Sequence, residues 1–132
     1  MALLARAARD GSMKLVVVVD DDESVRESLP DLLQQLGYVA RAFPSAQDFL
    51  ACDRISETRC LILDIAMPDM SGPELQRELT RRGHRIPTIF ITAVADENIR
   101  ANLLRQGAVA CLFKPFSHQD LAAALAAADP QT

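Results

Sequence analysis

The stretch Val16-Val17-Val18-Val19-Asp20-Asp21-Asp22 runs four β-branched residues straight into three acids, and Leu61-Ile62-Leu63-Asp64 repeats the arrangement further along the chain. An apolar run without polar alternation reads as a strand buried on both faces, which is the mark of a parallel sheet. Acids at the carboxyl ends of such strands lie where open α/β sheets bind their ligands.

Outward from these two strands, the apolar period switches between two and 3.6 residues. Val25, Leu29, Leu32, Leu33 and Leu36 share one helical face, and Gly37 stops that helix. Tyr38–Phe43 reads as a second strand, Ser45–Ala51 as a short helix with Ser45 at its N-cap, and Cys60–Leu63 as the third strand. Ser71-Gly72-Pro73-Glu74 has capping-box spacing with proline in the first turn, and opens a helix that ends near Gly83. Thr88–Thr92 is the fourth strand, Asp96 caps a helix through Gln106, and Gly107 ends it. Ala110–Phe113 is the fifth strand; Ser117 and Asp120 start a last helix, and Ala122–Ala128 stops at Asp129-Pro130 because proline bars continuation. Pro30 falls inside the first helix, where it removes a backbone hydrogen bond and is expected to bend it.

Five strand–helix units in alternation predict a single flavodoxin-like (βα)5 domain: a parallel five-stranded sheet in the order 2-1-3-4-5, helices on both faces, right-handed crossovers. That order sets the ends of strands one and three side by side, so Asp20, Asp21 and Asp64 converge. The domain is expected over residues 14–128, between an N-terminal tail over 1–13, expected to be flexible, and a C-terminal tail over 129–132.

Composition narrows the function classes. The chain of 132 residues is 49% hydrophobic and 24% charged, which fits one globular domain with a real core. No stretch approaches the roughly 18 apolar residues of a membrane span, and Met1–Ser12 lacks the apolar core of a secretory signal. A net charge of -4 argues against direct binding of this domain to nucleic acid. Its 3 cysteines, Cys52, Cys60 and Cys111, have no CxxC spacing and read as buried free thiols of a cytoplasmic protein.

Three converging carboxylates repel one another. At ~5 Å and an effective dielectric of ~20, each pair costs about 3 kcal/mol, so the site must take up protons or hold a cation. Oxygen ligation by a few carboxylates, with room for water and a phosphate oxygen, suits Mg²⁺ better than zinc or a caged calcium. An acidic helix start favoured by the helix dipole explains Asp22 and Glu23 equally well, but it leaves Asp64 without a reason. Thr92 ends the fourth strand and Lys114 the fifth. Singly, these are a turn residue and a surface charge; around one mouth with the acids and a metal, they describe a phosphoryl-binding site.

Asp20-Asp21, Leu63-Asp64-Ile65-Ala66-Met67-Pro68-Asp69-Met70-Ser71-Gly72, Ile91-Thr92-Ala93 and Lys114-Pro115-Phe116 resemble the receiver domain of two-component response regulators over about Lys14 to Ala127. Phe43-Pro44-Ser45-Ala46, Phe49-Leu50, the run Met67-Pro68-Asp69-Met70-Ser71-Gly72 and Ile86-Pro87 are most similar to the FixJ-like receivers of nitrogen-fixing bacteria. The resemblance implies that Asp64 is the nucleophile for a phosphoryl group from a sensor histidine kinase or a small donor such as acetyl phosphate. It implies Mg²⁺ held by Asp20, Asp21, Asp64 and the carbonyl of Ala66, with Lys114 and Thr92 binding phosphoryl oxygens and a cis bond between Lys114 and Pro115. It implies self-phosphorylation rather than enzymatic turnover on other molecules, a switched surface over the fourth and fifth helices with a phosphorylation-favoured homodimer, and regulation of transcription through an effector domain. Two departures stand out. Cys111 occupies the position, three before the lysine, where many receivers carry a switching aromatic, and Ala66 and Val94 cannot position an attacking water.

Rival readings fare worse. Aspartyl-phosphate phosphatases of the haloacid-dehalogenase type need a second Asp two residues beyond the nucleophile, where this chain has Ala66. A P-loop enzyme needs a GxxxxGK[ST] run that the chain lacks. A receiver-like interaction module that is never phosphorylated leaves the acids, Thr92 and Lys114 unexplained. His84 and His118 read as surface residues, Met67 and Met70 as packing for the loop after Asp64, and Arg77, Arg81, Arg82 and Arg85 as a solvated face near a helix C-terminus.

Overall fold

The computed structural model describes residues 14–129. The tail expected over 1–13, Pro130 and the rest of the tail expected after Asp129 lie outside the described residues. In chain order the elements are β1 (Leu15–Val19), α1 (Glu23–Gln35), β2 (Val39–Phe43), α2 (Ala46–Ala51), a 3₁₀ turn (Ile55–Glu57), β3 (Thr58–Asp64), α3 (Gly72–Arg81), β4 (Thr88–Thr92), α4 (Glu97–Arg105), β5 (Ala110–Phe113) and α5 (His118–Ala128). The strands form one sheet in the order β2-β1-β3-β4-β5, every pairing parallel. The fold is the flavodoxin-like one that the alternation of periods predicts.

Uninterrupted apolar strands are explained by what covers each face. Val17, Val19, Leu61, Leu63 and Phe90 point into a core closed by Phe49 of α2, Leu75 and Leu79 of α3 and Leu103 of α4. Val16, Val18, Ile62, Ile89 and Ile91 point the other way, against Leu29 and Leu33 of α1 and Leu121 and Leu125 of α5. Alternate side chains of β1, β3 and β4 therefore serve two cores, and the buried polar residues of β3 and β4, Thr58, Asp64, Thr88 and Thr92, stand at the strand ends.

The caps stand where the sequence puts them. Ser71 and Ser117 form capping boxes with Glu74 and Asp120, and Ser45 and Asp96 accept from the first-turn amides of α2 and α4. Gly37 follows α1 at φ 98°, a conformation that glycine adopts without a side-chain clash. Strand β3 is longer than the expected Cys60–Leu63. Thr58 is buried and bonds back to the Arg54 carbonyl at 2.9 Å, so pairing starts earlier, and the last strand residue is Asp64 itself. Pro30 lies within the thirteen residues assigned to α1. Cys60 and Cys111 are buried free thiols, as expected, but Cys52 is only half-buried at the end of α2. Arg81 and Arg82 engage one carboxylate, Glu78, at 2.6 and 2.7 Å, so that part of the arginine face is paired within its own helix. Met67 and Met70 pack against the α2–α4 core, as the loop reading expects.

Candidate functional site

β1 delivers Asp20 one residue past its last paired position, and β3 delivers Asp64 as its final residue, directly beside it in the sheet. Carboxylate oxygens of Asp20, Asp21 and Asp64 lie within 4.8 Å of one another. Asp20 is fully buried and Asp64 nearly so, whereas Asp21 faces solvent. Lys114, at the end of β5, donates to Asp20 Oδ2 at 2.9 Å and sits 4.0 Å from Asp64 Oδ1. Thr92 ends β4, buried; its Oγ1 accepts from the Val94 amide at 3.1 Å, leaving its own hydrogen to donate. The Thr92 carbonyl accepts from the Lys114 amide at 2.7 Å, which ties the ends of β4 and β5 together. Ala66 is exposed in the β3–α3 loop, two residues beyond Asp64. The peptide bond between Lys114 and Pro115 is cis.

Asp20 is the best-held residue of the group. Its amide donates to the Phe43 carbonyl at 3.1 Å, its Oδ1 accepts from the Asp22 amide at 2.9 Å, its Oδ2 from Lys114, and its carbonyl from Arg26 Nη1 at 3.0 Å. Asp22 plays a different part. It is the N-cap of α1, accepting from the Ser24 amide and hydroxyl, bonds that hold its carboxyl below the usual range. Of the opening acids, then, two face the site and the third starts a helix.

Electrostatics single out Asp64. Burial, and next the negative charge of Asp20, push its carboxyl up to about 7, against the opposing pull of Lys114. Burial works against the charge on Lys114, but Asp20, with Asp64 and Asp22, holds its ammonium above the ordinary lysine value. Three carboxylates against one ammonium leave an excess negative charge that one divalent cation cancels. The donor set, carboxylate oxygens without sulfur or imidazole, fits a hard ion such as Mg²⁺.

Two residues beside the site carry roles that sequence reasoning did not assign. Gly72 begins α3 where a Cβ would lie 2.3 Å from the carbonyl oxygen of Asp64 and 3.3 Å from the Phe90 ring. Its position inside the Met-Pro-Asp-Met-Ser-Gly run was the only signal available. Arg26 turns back from the first turn of α1 onto the end of β1, and no spacing rule marks it.

The residues from 16 to 126 match the family described as the response regulator receiver domain. The chain belongs to that family of signalling domains. It is 41% identical over 123 residues, 93% of its length, to the transcriptional regulatory protein TdiR of Thauera aromatica, and covers 54% of that protein. It is 37% identical over 112 residues to the transcriptional regulatory protein FixJ of Azorhizobium caulinodans, covering 85% of this chain and 53% of FixJ. The crystal structure of FixJ-N superposes with a TM-score of 0.76 at 37% identity, over 87% of this chain and 92% of that one. The chain thus spans about half the length of the curated relatives it matches. Among the described residues no helix is long and apolar enough to cross a membrane.

Proposed function

We propose that this domain accepts a phosphoryl group on Asp64 from a sensor histidine kinase, with Mg²⁺ as cofactor, and alters its surface in response. The observation that carries the reading is the meeting of Asp64 with Asp20, Asp21 and Lys114 at one end of the sheet. A carboxylate oxygen of Asp64 forms a bond to phosphorus while the bond from phosphorus to the donor's imidazole nitrogen breaks, and the nitrogen keeps the electron pair. Bound Mg²⁺ would supply charge neutralisation and alignment of the transferring oxygens. Asp21 and Asp64 would hold it by carboxylate oxygens and Ala66 by its carbonyl. Both oxygens of Asp20 already accept from the protein, so this residue suits contact through water. Lys114 would pair with one phosphoryl oxygen and the Thr92 hydroxyl would donate to another. Acetyl phosphate with Mg²⁺ should therefore add a single phosphoryl group, and chelation of the metal should prevent it; an adduct that forms equally well in chelator contradicts the role of the metal.

Ala66, two residues beyond Asp64, and Val94, two beyond Thr92 and 61% exposed, carry apolar side chains. Neither can orient water for attack on the acyl phosphate, so the phosphorylated form is expected to persist for minutes or longer. Following its decay after removal of the donor checks this, and loss within seconds contradicts it.

For the kinase, the supporting feature is an open cleft of about 550 Å³ that starts beside Lys114 and runs between α1 and the β5–α5 loop, lined by Val25, Leu29, Leu32, Pro115 and Phe116. For a homodimer through α4 and α5, support comes from α4, which buries only Leu103 and leaves Ile99 and Leu104 each 40% exposed. Loading with beryllofluoride, a phosphoryl mimic, should raise the mass measured by light scattering from monomer to dimer; equal masses before and after loading remove the dimer from the account. Regulation of transcription would be the output of a longer regulator in which this cytoplasmic domain acts as the switch, without itself binding nucleic acid. On this reading the domain would span residues 14–128, with tails over 1–13 and 129–132.

A further inference from the structure

Asp21 is the loosest member of the site. It is exposed, and among the described residues no hydrogen bond holds its carboxylate, so the position of the backbone that carries it sets which side-chain rotamers can reach the site. The amide of Asp21 and the carbonyl of Asp20 belong to one rigid peptide plane. Arg26, half-buried in the first turn of α1, donates from Nη1 to that carbonyl at 3.0 Å. The same side chain lies close enough to Asp22 to act on its charge. From these contacts we infer that Arg26 is a positioning residue of the metal site: it pins the peptide plane from which Asp21 hangs and so keeps the Asp21 carboxylate turned toward Asp64. The inference rests on the reading of the acids as a Mg²⁺ site.

Charge and geometry pull in opposite directions here, which makes the sign of one measurement decisive. Arg26 is a cation beside a cation site, so by Coulomb's law alone its removal tightens metal binding. Losing the brace instead loosens the Asp20–Asp21 peptide, which is then held only through its neighbours, leaves the carbonyl of a fully buried residue without its donor and weakens binding. Supporting partners of metal ligands are typically worth about 10–100-fold in affinity. The experiment is a titration of Mg²⁺ alone into wild type and Arg26→Met, followed by amide shifts in NMR spectra, with a thermal melt of each protein as a separate control for folding. Arg26→Met is expected to weaken Mg²⁺ about ten-fold. Arg26→Gln, also neutral and too short to reach the carbonyl, should change it in the same direction and covers the case in which the Met variant does not fold. Unchanged or tighter binding in a folded variant overturns the brace while leaving the metal site standing. Absence of Mg²⁺ binding by wild type removes the metal site and the brace with it.

Discussion

Asp64→Asn is expected to make the metal-free protein more stable at pH 8, by about 2 kcal/mol, which corresponds to a rise of about 8 °C in Tm for a domain of this size. The cause is the crowding of carboxylates. In the folded protein, burial and the charge of Asp20 raise the Asp64 carboxyl from 3.8 to about 7. The folded state therefore binds this proton more tightly than the unfolded chain does, and folding stability falls as pH rises from about 4 through about 7. Three pH units at 1.36 kcal/mol each set an upper limit of about 4 kcal/mol, and water at the open mouth of the crevice reduces that to about half. Asparagine keeps the shape without the charge. The advantage of the variant should accordingly fall close to zero by pH 4, where folded wild type carries the proton at this position, and shrink on addition of Mg²⁺, which offsets the repulsion in wild type. Melting curves at pH 4 and pH 8, with and without Mg²⁺, check all three statements. A variant less stable than wild type at pH 8 without metal would show that the carboxylate is held favourably and not under repulsion.

Gly72→Ala is expected to destabilise the fold by about 3 kcal/mol and to impair phosphorylation as well. The constraint is one of space. A methyl group at this position would overlap the carbonyl oxygen of Asp64 at 2.3 Å and press on its carbon at 3.2 Å, and both partners are parts of the backbone that cannot swing aside. Relief requires α3 to retreat from the sheet or the β3–α3 loop to move. That loop is already specified closely, with Asp69 at φ 70° and the Gly72 amide bonded to the Ile65 carbonyl at 3.1 Å. The first opens the core that Leu75 and Leu79 close, and the second displaces the backbone that leaves Asp64. Chemical denaturation gives the stability change, and a loss below 1 kcal/mol would mean that the helix start adapts at little cost.

How far the sequence could be read follows from which interactions are local. The strands of β1, β3 and β4 are legible because both faces are buried, so no polar residue interrupts Val16–Val19, Leu61–Leu63 or Ile89–Ile91. Helix starts are legible because Ser45, Ser71, Asp96 and Ser117 cap amides within three residues of themselves. The extra length of β3 is not legible because Thr58 is buried through a bond to Arg54, the cap of the preceding 3₁₀ turn, which has no strong pattern of its own. Within the site, the acids, Thr92 and Lys114 are legible as polar residues at the ends of apolar strands. Gly72 and Arg26 are not, since their importance comes from an approach between backbones and from a side chain folding back across a loop, and neither leaves a period or a spacing.

The exit of the signal is where this chain departs most from its family resemblance. Cys111 is buried beneath α4, opposite Phe90 in the β4–β5 register, and a thiol there cannot make the excursion of an aromatic ring. Phe113 is next to Thr92 in the same register and holds the guanidinium of Arg100 at 5.4 Å, which gives β5 a contact to α4 by a different residue.

The role of Asp64 as the phosphoryl acceptor is tested most directly by the intact mass of wild type and Asp64→Asn after incubation with acetyl phosphate and Mg²⁺. Wild type should gain the mass of one phosphoryl group and the variant none; wild type without the gain, or a variant that gains it equally, would contradict the account.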